Sequence, residues 1–150
     1  MGAEPAVGGR EAPRPDNAEP PVSTYLVDTS VLIDVLRGVR GRAERLEALV
    51  DAGHILACST IAVAELFAGM QPKERITTVA LLDSLEHFDV TRPIAERAGL
   101  LRREWTARGH TISLPNLLIA SAAINHGLIL ITDNVKDYPM RELRLHQLEE

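Results

Sequence analysis

One cysteine, aromatic residues at only 3%, no apolar run of bilayer-spanning length and no surplus of basic charge mark this chain of 150 residues. A lone cysteine excludes an internal disulfide, and Cys58, within His54-Ile55-Leu56-Ala57-Cys58, reads as a small buried hydrophobe. The missing apolar run excludes a membrane-spanning helix, and the N-terminus lacks the hydrophobic core of a secretory signal. A soluble, cytoplasmic protein with no membrane partner is expected. Scarce aromatics argue against a base-stacking platform, so Trp105 and Phe67 are expected to anchor a core or an interface. The formal charge is -5, and setting aside residues 1–22, with four acids and two bases, leaves -3. That is not the footprint of a strong nonspecific nucleic-acid binder. Basic residues still cluster at Arg37, Arg40, Arg42 and Arg45, and again at Arg92, Arg97, Arg102, Arg103 and Arg108. They are either solvated helix faces or ridges beside an acidic pocket.

What the chain does have is 45% hydrophobic composition, enough for one domain built on a central sheet. Residues 1–22 are rich in Pro, Gly, Ala and charge without apolar periodicity, so they form an expected disordered leader to a domain over 23–150. A strand is predicted at Thr24 to Val27, followed by the helix-entry signal Asp28-Thr29-Ser30 and a helix carrying Val31, Leu32, Val35 and Leu36 up to Gly38. A second helix is predicted from Gly41 to Ala52. The cycle repeats with a strand at Ile55 to Cys58, a cap at Ser59-Thr60 and a helix to Gly69. Further helices are predicted from Pro72 to Leu82, from Pro93 to Ala107, and from Pro115 through Asn125. Strands are predicted near His87 to Val90, at Leu128 to Ile131, whose uniform apolarity suits a central parallel strand, and near Leu143 to Leu148. Alternating strands and helices imply an α/β fold, a three-layer α/β/α sandwich with a central parallel sheet. Sites in such sheets form beyond the carboxyl ends of the strands, where Asp28, the 59–65 segment and the 132–137 loop fall.

These segments resemble the PIN-domain ribonucleases, and within them the VapC-type toxins of toxin-antitoxin pairs. The resemblance is carried by residues 25–34 (Tyr-Leu-Val-Asp-Thr-Ser-Val-Leu-Ile-Asp), 59–66 (Ser-Thr-Ile-Ala-Val-Ala-Glu-Leu), 114–120 (Leu-Pro-Asn-Leu-Leu-Ile-Ala) and 130–138 (Leu-Ile-Thr-Asp-Asn-Val-Lys-Asp-Tyr). In combination and order these are specific, though each alone is weak. The resemblance implies an endoribonuclease using Mg²⁺ or Mn²⁺ to cut structured RNA, neutralised by a VapB-like antitoxin and forming a homodimer through the early helices. It places the first two acids on Asp28 and Glu65, the third position on Asn116 and the fourth on Asn134. Asp133 and Asp137 adjoin Asn134 and are candidates to complete the set, with Ser30 and Thr132 as supporting hydroxyls.

Acids are wanted there because Mg²⁺ takes oxygen ligands, keeps several waters and is anchored by a few carboxylates. Asn116 retains one acyl oxygen but carries no charge, and its amino group cannot ligate a cation. Weaker metal binding is expected, which opens a second functional reading, a catalytically inactive PIN-fold module acting only in an antitoxin complex. Each site residue also has a plain structural reading. Asp28 is suited to cap a helix, Asn116 to satisfy first-turn amides, and Asp133 to form a turn. Glu65 lies in an apolar helix, where an acid turned outward needs no partner. Asp137 is suited to pair with Lys136 or an arginine, and Asp34, six residues after Asp28, is expected to face solvent.

Overall fold

The computed structural model describes residues 21–39 and 41–148. The leader expected over 1–22 therefore lies outside the described residues, apart from its last two positions. Five strands, β1 (Thr24–Val27), β2 (Ile55–Ser59), β3 (Glu86–Phe88), β4 (Ile129–Ile131) and β5 (Arg144–His146), alternate with six helices. These are α1 (Thr29–Leu36), α2 (Arg42–Asp51), α3 (Thr60–Gly69), α4 (Arg75–Asp83), α5 (Arg92–Ala107) and α6 (Leu114–His126). The strands form one parallel sheet in the order β3-β2-β1-β4-β5. β1 lies at its centre, with Tyr25 opposite both Leu56 and Ile129.

Strand side chains alternate between the two faces, and each face has its own core. Leu26, Ala57 and Leu130 pack with Ile94, Ala98 and Leu101 of α5 and with Leu117, Ala120 and Ala123 of α6. The opposite face joins Val27, Cys58 and Ile131 to Val31 and Leu32 of α1, Leu46 of α2, Leu66 of α3 and Leu82 of α4. The small Ala120 and Ala123 allow α6 to lie close to the sheet. Truncating a fully buried centre such as Leu26 to Ala is expected to cost about 2–5 kcal/mol.

Two predicted boundaries shift for local reasons. Pro72 opens a short 3-10 turn (Pro72–Glu74) before α4 starts at Arg75. There the Gln71 N–H donates to Glu74 Oε1 at 2.6 Å, closing a capping box. The third strand ends at Phe88 rather than Val90, because the Val90 N–H leaves the ladder to donate to Thr60 Oγ1 at 3.1 Å. The edge strands β3 and β5 are three residues each and carry Glu86 and Arg144, which blunts them against pairing with another chain.

Candidate active site

β1 runs directly into Asp28, whose N–H donates to the Ile131 carbonyl at 2.9 Å and so prolongs the pairing with β4 to the carboxyl edge of the sheet. Asp28 occupies the cap position of α1, yet its carboxylate makes no capping hydrogen bond. Instead, Oδ2 accepts from the Thr132 hydroxyl at 2.8 Å. Thr132 accepts in turn from the Asn134 N–H at 3.0 Å, which fixes the direction of its own proton. Asp28 is only 4% exposed. Burial raises its pKa, and the negative charge of Glu65 pushes the same way, while Thr132, Tyr138 and the Thr29 amide favour the ionised form.

Glu65 comes from α3, whose first turn is capped by Ser59 Oγ accepting from the Ile61 N–H at 3.3 Å. Its Oε1 accepts from the Thr29 hydroxyl at 2.7 Å. The residue next to Asp28 thus holds the second acid, and the two carboxylates are near enough to raise the proton affinity of the first. A recess of about 90 Å³ opens beside Glu65, walled by Ile33, Leu66 and Met70.

Asn116 lies in the first turn of α6, half-buried, with its N–H donating to the capping Ser113 Oγ at 3.3 Å. α6 packs against α3, the helix of Glu65. Asn134 is exposed, and Asp137 is partly buried beside Tyr138, whose phenol feels its charge. The carboxylate of Asp133 is ion-paired with Arg42. Asp34 also faces Arg42, its Oδ2 3.8 Å from Nε, so it is not a free solvent-facing acid. Arg42 itself is a correction to the reading of its cluster as a solvated face, since its side chain is only 11% exposed.

Tyr138 is another residue whose place the sequence reading did not assign. It is 2% exposed, and its hydroxyl lies close enough to Asp28 for each to shift the other, although no hydrogen bond of ordinary geometry forms. Burial, followed by the charge of Asp28, drives the phenol far above its ordinary pKa and keeps it neutral. Ser30 Oγ is likewise buried without a partner.

Among the described residues, no three Asp, Glu, His or Cys side chains gather as a ready metal cluster. One or two carboxylates nevertheless suffice for Mg²⁺ when water completes the shell. Asp28 Oδ1 and Glu65 Oε2 are left outside the two hydrogen bonds that orient these acids. Mutually repelling carboxylates, with the buried Tyr138 hydroxyl beside Asp28, form an oxygen-only set suited to a hard divalent cation.

The profile of the PIN domain matches residues 25–138. The chain belongs to the PIN-domain family. Ribonuclease VapC10 of Mycobacterium tuberculosis is 39% identical over 117 residues, covering 78% of this chain and 87% of that protein. Ribonuclease VapC19 of the same organism is 33% identical over 115 residues, covering 77% and 92%. Among solved structures, the VapBC2 complex of Rickettsia felis bound to a promoter DNA fragment aligns with a TM-score of 0.74 at 28% identity, over 84% of this chain and 99% of that one. A toxin-antitoxin complex of Klebsiella pneumoniae aligns with a TM-score of 0.69 at 30% identity, over 84% and 98%. The PIN fold matches the five-stranded parallel sheet and its two helical layers.

Proposed function

We propose that this PIN-domain protein is a VapC-type toxin, an endoribonuclease that cuts structured RNA with Mg²⁺ or Mn²⁺ and is neutralised by a VapB-like antitoxin. The observation that carries this reading is the diversion of Asp28 from helix capping to Thr132, with Glu65 tied to the adjoining Thr29. A structural aspartate at a cap would bond the helix amides. This one is held by a strand-end hydroxyl at the sheet edge where ligands bind.

In the proposed mechanism Asp28 and Glu65 would hold the cation, with Asn116, Asn134 and Asp137 as outer oxygen donors. Such an ion, when bound, supplies positive charge against the scissile phosphate and its leaving oxygen. The protein's own part is to fix both acids before substrate arrives. Thr132 and Thr29 each donate to one oxygen of an acid and so orient its carboxylate. Tyr138, buried beside Asp28, stays protonated. Loops of structured RNA expose the backbone and unstacked bases that a recessed acidic site requires.

An apolar groove of about 350 Å³, lined by Val35, Leu46, Val50, Leu56, Leu81 and Leu85, has the character that accepts the apolar face of an antitoxin helix. Homodimerisation through the early helices remains part of the proposal, and Val39 and Val50 are exposed there. The second reading, an inactive binding module, draws on Asn116 and on the lack of a third acid in the described cluster. RNA cleavage in excess Mn²⁺ by the chain and by Asn116→Asp separates the two. Cutting by both, faster with the acid, supports the nuclease, whereas cutting by neither supports the binding module.

A further inference from the structure

Arg42 opens α2, a place where a cation opposes the helix dipole, so helix stability does not account for it. Its side chain is nonetheless largely buried and reaches three segments remote in sequence. One amino group pairs with Asp133 in the loop after β4, Nε faces Asp34 of α1 at 3.8 Å, and the other amino group donates to the Leu148 carbonyl beyond β5 at 3.3 Å. The five donors of a planar fork reach acceptors spread over a span that the compact ammonium of a lysine does not cover.

We infer that Arg42 is a positioning residue, a latch that ties the loop after Thr132 to α1 and to the segment beyond β5 and that keeps the Asp133 carboxylate out of the metal-binding set. The inference rests on the nuclease reading for its second half only. Thr132, which donates to Asp28 at 2.8 Å, is fixed by its own N–H on the His146 carbonyl at 3.1 Å, so the latch acts on the residues that follow it, beginning with Asp133. The loop also carries Asn134, Asp137 and Tyr138, so the contact with Asp133 bears on one wall of the site. Asp133 already has its cation in Arg42 and is left with little to offer a metal.

The test uses the full chain, Arg42→Lys, Arg42→Met, Asp133→Asn and the Arg42→Met/Asp133→Asn double variant, with amide hydrogen exchange and Mn²⁺ titration as readouts. Both Arg42 variants are expected to speed exchange across 133–138 at least tenfold while β1 and α6 keep their protection. Arg42→Met is expected to weaken Mn²⁺ binding severalfold, and Asp133→Asn, whose amide oxygen can still accept from Arg42 and so keep the latch, to change it less than twofold. The double variant is expected to exchange more slowly than Arg42→Met, because the stranded carboxylate is gone. Unchanged loop exchange in Arg42→Lys and Arg42→Met overturns the latch. A tenfold loss of Mn²⁺ binding in Asp133→Asn overturns the exclusion of Asp133. If no variant binds Mn²⁺, the nuclease reading fails by itself, and the exchange data alone then decide for or against the latch. Should Arg42→Met not fold, Arg42→Lys carries the same comparison.

Discussion

Two helix starts flank the acidic recess, and they are built in opposite ways. At α6, Ser113 caps the helix and Asn116 sits three residues inside it. At α1, the capping position holds Asp28, and its carboxylate makes no capping bond but accepts from a threonine 104 residues away. Ser59 and Thr91 cap α3 and α5 in the usual manner, whereas α1 has a residue suited to capping whose carboxylate makes no capping bond. A cap worth about 1 kcal/mol has been given up, and a carboxylate has been buried at further cost. That cost points to function at Asp28. At α6 nothing of the kind is given up, and the missing acid at 116 leaves that side of the recess uncharged.

This contrast sets the expected scale of each perturbation. Removing an acid on the Asp28 side, by Asp28→Ala or Glu65→Ala, is expected to lower RNA cleavage by on the order of 10³-fold, the several kcal/mol that metal-assisted charge stabilisation supplies. Single-turnover cleavage in Mn²⁺ measures it. Adding the acid on the other side, by Asn116→Asp, is expected to tighten Mn²⁺ binding by about tenfold, or 1.4 kcal/mol, in a calorimetric titration. Thr132→Val keeps the shape but withdraws a donor from a buried carboxylate, so a loss of about 1.5–3 kcal/mol is expected in denaturant unfolding. Ser113→Ala removes an ordinary cap and is expected to cost about 1 kcal/mol without changing Mn²⁺ affinity.

The smallest effect concerns pH. The folded pKa of Asp28 is raised, chiefly by burial, so ionisation destabilises the fold. The penalty is absent below the unfolded value of about 3.9, grows as pH rises towards the folded value, and persists above it. Asp28→Asn is therefore expected to melt about 2–5 °C higher than the parent chain at neutral pH, with the gap closing in acid. Thermal unfolding across pH 3–8 checks this sign.

Much of the fold was legible because it is written locally. Uniform apolar runs such as Leu128 to Ile131 and capping signals such as Ser59-Thr60 depend on neighbours in the chain, and those elements lie where expected within two or three residues. The boundaries that moved, at Pro72 and Val90, did so through hydrogen bonds by Glu74 and Thr60 that no periodicity encodes. In the site, Asp28 and Glu65 stood out by motif. Arg42 did not, since its partner Asp133 lies 91 residues on and an arginine in a basic cluster reads as solvated. Tyr138 was hidden for the same reason, because its environment is assembled only when the last loop folds over Asp28.

One cation shared by Asp28 and Glu65 is the centre of the proposed site. Anomalous diffraction from crystals grown with Mn²⁺ tests that directly. The expected result is a single peak within about 2.0–2.6 Å of a carboxylate oxygen from each residue, the range for hard divalent ions. A peak elsewhere on the protein, or none at saturating Mn²⁺, would contradict it.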